Sequence, residues 1–473
     1  MTPVVRAGDH VAVCGGGLAG LAAATVLAEA RIRVTLFERE TFLGGRAGAW
    51  TDQLSDGTTF QMERGFHAFF RHYDNLRALM RRVDPELSFL APMNDYPILG
   101  PDGREESFCD LPTRAPWNVA ELVRRTPTLG FRDLAAVRAL WASAMLSFGP
   151  HTYARWDRIS AKEYLDSLNF PPRARQMLFE VFAHSFFNPE THFSAAELLM
   201  QFHFYFLGNR EGLVFDTMKT PFSTGLMDPL RRYLENHGVT FKLGADVHSV
   251  GPGEVRAGER HEVDAVVLAL SVPGLRAVAE RSSLDAATLR RIASLEVTWP
   301  FVVWRLWLDR RVDPSRAPFA GTAGIGLLDN ISVYEKLEDE SRAWAEANDA
   351  SVVELHAYAV PPELDEGAIR RDLLAGLHAL YPETRGARIR EDRFFRRQDC
   401  PAFPPGSDAS RPGVRTGDRR VVLAGDFVRL SQPSALMERA VTSGFLAANT
   451  LLGRNAEAVH SPSRRGLLSA LAL

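Results

Sequence analysis

A chain of 473 residues is too long for one simple hydrophobic core and suits two intertwined domains. Its 46% hydrophobic and 24% charged residues are those of a soluble globular protein, and a formal net charge of −3 supplies no basic excess for nucleic acid. Three widely spaced cysteines, Cys14, Cys109 and Cys400, exclude a disulfide framework, no metal-ligand spacing occurs, and a reducing cytoplasm is the setting they favour.

The first element is an apolar run, Val11-Ala12-Val13-Cys14, that ends in Gly15-Gly16-Gly17-Leu18-Ala19-Gly20. Helix formers continue from Leu21 to Ala28, and a second β-branched run, Ile32 to Phe37, ends at Glu38. This order predicts a strand, a tight turn, a helix and a second strand. Gly15 permits the turn, Gly17 lets a phosphate approach the backbone, and Gly20 lets the helix pack on the strand. The helix N-terminus, at Leu18 and Ala19, then presents unpaired N–H groups and the positive dipole end to a pyrophosphate. Glu38 follows Gly20 by 18 residues, where a carboxylate can accept from ribose hydroxyls. Val11 to Ala28 is also 18 residues without a charge, but its three consecutive glycines argue against a membrane span.

After Glu38 come Arg39, Glu40 and Leu43-Gly44-Gly45-Arg46. This continuation resembles the FAD-binding signature of the flavin monoamine oxidase and phytoene desaturase superfamily. There the paired glycines let a loop close over the pyrophosphate, and the arginine sits near it. The chemistry agrees, because a planar guanidinium suits a diphosphate and glycine permits close approach. The resemblance implies FAD as cofactor. It also implies an α/β fold in which a Rossmann-like FAD domain is interleaved with a substrate domain of mixed sheet and helices.

Residues 50–61 read as a polar connector with a turn at Ser55-Asp56-Gly57. The run Glu63-Arg64-Gly65-Phe66-His67-Ala68-Phe69-Phe70-Arg71-His72-Tyr73 follows, too polar for plain core and too aromatic for a plain loop. In the superfamily the matching segment passes beside the flavin ring, which puts Gly65 and Phe66 next to the cofactor. His67 and Glu63 are the best placed bases, with Arg64 or Arg71 to orient them. A hydrogen-bonded structural histidine is the plain alternative for His67. This segment, with Arg316-Ala317-Pro318-Phe319, Leu328 to Ser332 and Pro433 to Ala440, resembles the isorenieratene synthase family. Those enzymes are carotene desaturase/methyltransferases that turn a β-ionone ring into an aromatic one.

Residues 112–224 read as a helical insertion. Leu134, Val137, Leu140, Trp141 and Met145 recur at helical spacing, and Ser160 with Glu163 and Ser194 with Glu197 read as capping boxes. Phe179, Phe182, Phe186 and Phe187, with Phe202, Phe204 and Phe206 beyond, flank His184 and His203 without forming one narrow stripe. They suit either a helix–helix core or an apolar tunnel.

A helix from Gly225 through Leu234 ends at Asn236-His237-Gly238, and Val239 to Val250 has strand character. By the resemblance, this pair returns the chain to the FAD domain and sets the backbone near Val247 against the adenine. Residues 264–270 read as a buried strand. Trp299 to Leu308 and Ser351 to Val360 are the clearest strands of the second domain, and one face of the former suits the floor of a substrate cavity. Val421 to Leu423 leads into Gly425-Asp426, with a helix from near Ser434. The resemblance places Asp426 at the ribityl–pyrophosphate end of FAD and Met437 under the flavin. The FAD domain is thus expected from 1–111, 225–275 and 416–455, the substrate domain from 112–224 and 276–415, and a tail from 456–473.

The tail, Arg464-Arg465 before Gly466 to Leu473, is too short to span a bilayer and suits at most contact at a membrane surface. The resemblance implies a carotenoid or similar long apolar molecule as substrate, processed by hydride loss, a 1,2-methyl shift and proton loss. An ordinary carotenoid desaturase or another flavin oxidase of an apolar metabolite is the nearest alternative. A cofactor-free prenyl carrier of the Rab GDP-dissociation inhibitor kind shares the fold, but the complete glycine loop argues against it. Oligomeric state is left open.

Overall fold

His10–Cys14 lies at the centre of a five-stranded sheet whose order is Thr240–Leu243, Arg33–Glu38, His10–Cys14, Ala265–Leu268 and Val421–Leu423. Every pairing in it is parallel. The coordinates are a computed structural model, described for residues 2–462 apart from 94, 102, 104, 108–109, 113–116, 127–147, 150, 170–174, 176–185, 208–210 and 212–213. A parallel sheet is covered on both faces, which is why residues 11–14 and 265–268 at its centre are apolar and buried throughout. The Leu18–Glu29 helix is buried from Leu18 to Ala28, because the sheet takes one side and the C-terminal helix Leu436–Leu452 the other. The two helices approach so closely that a Cβ on Gly444 would meet the Ala19 carbonyl oxygen at 2.3 Å.

The second sheet has seven strands, ordered Ile389–Arg397, Phe301–Leu308, Val352–Ala357, Asn330–Val333, Phe319–Thr322, Ile98–Leu99 and Glu105–Glu106. All eight residues of Phe301–Leu308 are buried. Val302, Trp304, Leu306 and Leu308 form a core with Ile369, Leu373 and Leu377 of the Glu366–Leu380 helix. The opposite face carries Phe301, Val303, Arg305 and Trp307. The expected domain boundary at 111/112 does not follow the sheets, since Ile98–Leu99 and Glu105–Glu106 already belong to the second one.

Four local expectations are corrected. Residues 50–61 are not a connector but most of a hairpin, Ala49–Gln53 with Thr59–Glu63, whose turn matches the expected one. Alternation decides it: Trp50 stacks on Phe42 at 5.5 Å and Phe60 meets Trp307 at 4.8 Å, while Thr51, Gln53 and Thr59 are exposed. Strand character does not run from 239 to 250. Gly244, at φ +69, ends the Thr240–Leu243 strand, and Ser249–Gly251 opens a separate antiparallel sheet. The insertion is not all helical, because Phe215–Met218 is a strand between Phe69–Phe70 and Leu90–Pro92. Ser160 and Glu163 do form a capping box, but Ser194 and Glu197 do not. Ser194 accepts from Ala196 N at 3.2 Å, and the Glu197 carboxylate turns instead to Arg439, Arg411 and Tyr153. The expected helix around Leu134 to Met145, Phe179, Phe182 and His184, and the basic tail from Arg464, lie outside the described residues. Among the described residues no helix is long and apolar enough to cross a membrane.

Candidate active site

The turn after the first strand allows only glycine at two points. Gly15 has φ +111, and a Cβ there would lie 2.4 Å from the Ala269 carbonyl oxygen; one on Gly20 would lie 1.9 Å from that of Gly15. Gly17 differs, for its Cβ would meet nothing nearer than 4.0 Å. It faces open space, and the helix it precedes has no side-chain cap and no acidic residue in its first turn. Gly15, Gly17, Leu18 and Ala19 line one end of a continuous cavity of about 530 Å³. Glu38, Arg39 and the 245–247 loop, including Val247, line the same end. Glu38 accepts from Gly16 N at 2.7 Å and from Glu40 N at 2.8 Å, which fixes its carboxylate beside the turn.

Gly44, Gly45 and Arg46 close the cradle from above. Gly44 and Gly45 have φ of +104 and +59, and Gly44 N donates to the Gly16 carbonyl at 2.8 Å. Arg46 Nη2 donates to Asp426 Oδ1 at 2.6 Å, and Gly425 N donates to Ser443 Oγ at 2.7 Å. Arg64 Nη1 reaches Asp399 Oδ2 at 2.6 Å. Among the described residues the other Asp399 oxygen is buried without a hydrogen-bond partner, as is Asn330 Oδ1; both residues line the cavity. An open gap at Gly17, an uncapped helix end, a guanidinium above it and two orphaned acceptors fit a bound dinucleotide with N–H groups on its far end.

Beyond the cradle the cavity runs between aromatic walls. Phe66 stacks on Phe319 at 4.5 Å, and Phe215 closes edge-on against Phe66 at 5.9 Å and Phe70 at 5.3 Å. Across from them Phe187 packs on Phe301 at 5.1 Å and on Tyr358 at 4.9 Å. Met437 lines the passage, together with Leu436, which holds φ +49, and Phe187, which holds φ +62. Left-handed backbone at bulky residues stores strain, and it gathers here at the cavity.

The candidate bases separate. His67 lies on the cavity wall. Its Nδ1 is 2.7 Å from the Gly65 carbonyl, which can only accept, so Nδ1 carries the hydrogen and Nε2 the lone pair. Burial first, and then neighbouring His356 and Arg46, lower its pKa to about 4, so the ring is neutral at pH 7. Glu63 is not on the cavity. Its carboxyl accepts from Phe222 N at 2.7 Å and Tyr334 Oη at 2.5 Å, and burial raises its pKa to about 7. Gly65 is set behind His67, with φ +95, where a Cβ would strike the His356 ring at 2.6 Å. Arg71 turns away to Glu211 and Asp216.

The sheet face under the cavity holds groups that the sequence reading passed over. Arg305 lies opposite Glu354 in register and donates to it from Nε at 2.8 Å, with its guanidinium 3.8 Å above the Tyr334 ring. Glu354 also accepts from Phe66 N at 2.9 Å and from His356 Nε2 at 2.8 Å, and His356 Nδ1 meets Tyr358 Oη at 2.7 Å. The signal was present in the strand itself. In Val-Val-Glu-Leu-His-Ala, two ionisable residues at i and i+2 of a buried strand must share one face. Burial would raise the Glu354 pKa, but Arg305 and His356 hold it down at about 2.

Comparison with known proteins agrees with this geometry. Residues 18–452 match the family described as flavin containing amine oxidoreductase. The chain is 48% identical over 453 residues to the carotenoid phi-ring synthase of Streptomyces griseus, covering 94% of this chain and 88% of that protein. It is 27% identical over 569 residues to the carotenoid phi-ring synthase of Chlorobaculum tepidum, covering 93% and 88%. Among solved structures, cyclohexylamine oxidase from Brevibacterium oxydans superposes with a TM-score of 0.68 at 15% identity, covering 94% of this chain and 99% of that one. Putrescine oxidase superposes with a TM-score of 0.66 at 15% identity, over the same shares. Both structures speak for the fold alone. The chain belongs to the flavin-containing amine oxidoreductases, with their α/β fold and FAD as its cofactor.

Proposed function

We propose that this oxidoreductase is a carotenoid desaturase/methyltransferase that converts a β-ionone ring of β-carotene into an aromatic ring. The observation that carries the reading is a single cavity that begins at the dinucleotide cradle and ends between aromatic walls with a neutral histidine on them. The phi-ring synthase activity named for the 48% identical relative supports the choice of ring.

FAD, when bound, supplies the acceptor for a hydride leaving carbon. Gly15, Gly17, Leu18 and Ala19 would hold its pyrophosphate, with Gly20 keeping the helix against the strand. Glu38, Arg39 and Val247 would hold the ribose and adenine. Gly44, Gly45, Arg46, Gly425 and Asp426 would hold the ribityl–pyrophosphate end, and Phe66 and Met437 would flank the flavin, with Gly65 set behind His67 and off the cavity. Loss of hydride from the substrate ring leaves an allylic cation, a 1,2-methyl shift relocates it, and proton loss quenches it. Two hydrides and two protons leave each ring. The aromatic faces of Phe66, Phe215, Phe319 and Phe301 suit a desolvated cation, where each ring face contributes about 2 kcal/mol, and they exclude water that would trap it. His67 is the proposed base. A neutral imidazole of low basicity suffices for a proton on a carbocation, and it brings no positive charge to repel that cation. Arg64, tied to Asp399, orients the cavity rim and takes no proton.

Pigment extraction from a strain accumulating β-carotene, with and without this protein, tests the reading. A product of unchanged carbon count with four fewer hydrogens per altered ring is expected. Unchanged pigment beside flavin-loaded protein would overturn it. A desaturated product without methyl transfer would favour the second reading, an ordinary carotene desaturase, which the 26% identical zeta-carotene desaturase of Synechocystis supports.

A further inference from the structure

Aromatisation must dispose of two protons per ring, and among the described residues His67 has no onward partner, because its Nδ1–H is tied to the Gly65 carbonyl. The opposite wall holds groups arranged to receive and pass one. Glu354, ion-paired with Arg305, can only accept from His356 Nε2, so Nε2 carries a hydrogen, and the other ring nitrogen, Nδ1, faces Tyr358 Oη. Asn330 Nδ2 donates to Tyr358 Oη at 3.0 Å, which orients the phenol hydrogen toward His356 and leaves one oxygen lone pair open. Both Tyr358 and His356 line the cavity. Tyr358 is held in place from three sides: its backbone N–H donates to Asp329 Oδ2 at 2.5 Å, Phe187 meets its ring edge-on at 4.9 Å, and the chain turns left-handed at Ala359, φ +49.

We propose that Tyr358, His356 and Glu354 form a proton relay that takes a proton from the substrate ring. This rests on the ring-aromatising function proposed above. The ring C–H bond breaks and its electron pair enters the ring. The proton goes to Tyr358 Oη as the phenol's own proton passes to His356 Nδ1, and Glu354 stabilises the imidazolium that forms. Tyr358 is the catalytic residue of the set, His356 stores the proton, and Glu354 is a positioning residue. Burial pushes the Tyr358 phenol well above its ordinary value, so it acts by passing a proton on and not as a standing phenolate. The charged and titratable groups around the pair are Glu354 and Arg305 on the sheet, His67 on the facing loop, Asp329 beside Tyr358, and Cys400.

The test uses the FAD-loaded full-length protein with β-carotene in detergent micelles, first without air and then with an added quinone that reoxidises the flavin, so that each ring can give up both hydrides. Flavin bleaching before the quinone is added reports the first hydride loss, and pigment analysis afterwards reports aromatic product. In Tyr358→Phe, and in His356→Gln, bleaching should stay within about threefold of wild type while product formation falls roughly 10²-fold. FAD content per chain, unchanged from wild type, selects the variants that are folded. A wild type that neither bleaches nor converts the pigment overturns the function and the relay together. A converting wild type beside FAD-loaded variants that convert at the same rate, or that lose bleaching and conversion in equal measure, overturns the relay alone.

Discussion

Arg46 and Asp426, 380 residues apart in the chain, meet across the cofactor cradle at 2.6 Å. Burial works against the guanidinium's charge, and Asp426, Cys400 and Asp399 more than restore it, so Arg46 stands as a permanent cation at the end of the cavity proposed to hold the pyrophosphate. Arg46→Ala should therefore weaken FAD binding by the about 1.5–3 kcal/mol of a charged hydrogen bond, roughly ten- to hundredfold in Kd. Titration of the apoprotein with FAD measures it. An unchanged Kd would remove Arg46 from the cofactor site.

Gly17 and Gly20 make a contrasting pair. A Cβ on Gly20 would overlap the Gly15 carbonyl at 1.9 Å, a backbone atom that cannot swing aside, so Gly20→Ala should cost about 3 kcal/mol of stability. At Gly17 the backbone is ordinary, φ −76, and the added methyl meets no atom of the protein within 4.0 Å. Gly17→Ala should keep the wild-type unfolding midpoint and lose FAD affinity, because the methyl occupies ligand space. If both variants lose stability alike, Gly17 serves the fold and not the cofactor.

The glycine turn could be read from sequence because much of its physics is local: Gly15 holds φ +111 and Gly20 packs on the Gly15 carbonyl five residues before it. Glu197 shows the limit. Its spacing from Ser194 is that of a capping box, yet its carboxylate is taken by Arg439, 242 residues on. His356 and Glu354 went unassigned for the same reason, since what they do depends on the register that sets Arg305 opposite Glu354 and on the Gly65 loop pressing against His356. Glu63 was misplaced because alternation along Thr59–Glu63 turns its side chain away from the face that presents the His67 loop, toward Tyr334. Local chemistry is legible from the chain; partners supplied by tertiary packing are not.

His67 should behave as a base and not as a cofactor ligand. His67→Ala is expected to retain FAD and to lower aromatic product formation by roughly 10²-fold or more, the usual worth of a positioned base. The neutral ring, with its pKa near 4, predicts that this contribution is constant from pH 6 to pH 8. Pigment analysis of FAD-normalised wild type and variant across that range measures it. A variant that converts substrate at the wild-type rate would leave His67 a structural residue beside the cofactor.

Glu63 gives a prediction about stability. It is only 2% exposed, and burial raises its pKa from 4.5 to about 7 against the pull of Arg305, Tyr334 and Phe222 N. Below pH 4.5 the carboxyl is neutral in both folded and unfolded chains. Between pH 4.5 and 7 the unfolded chain ionises first, so the folded state loses stability as pH rises, by roughly 3 kcal/mol in all. His67 and His72, lowered to about 4 and about 3, act in the opposite sense and lose stability as pH falls below 6.5. The wild-type curve is therefore a composite, and only a difference isolates Glu63. Glu63→Gln keeps a carbonyl acceptor for Phe222 N, turns its amide N–H to the Tyr334 oxygen, and has no proton to lose. Its stability relative to wild type, from denaturant unfolding, should grow by roughly 3 kcal/mol from pH 4.5 to pH 8. A difference that stays flat over that range would mean that Glu63 is ionised in the folded protein, with Arg305 holding it so through the Tyr334 ring that lies between them.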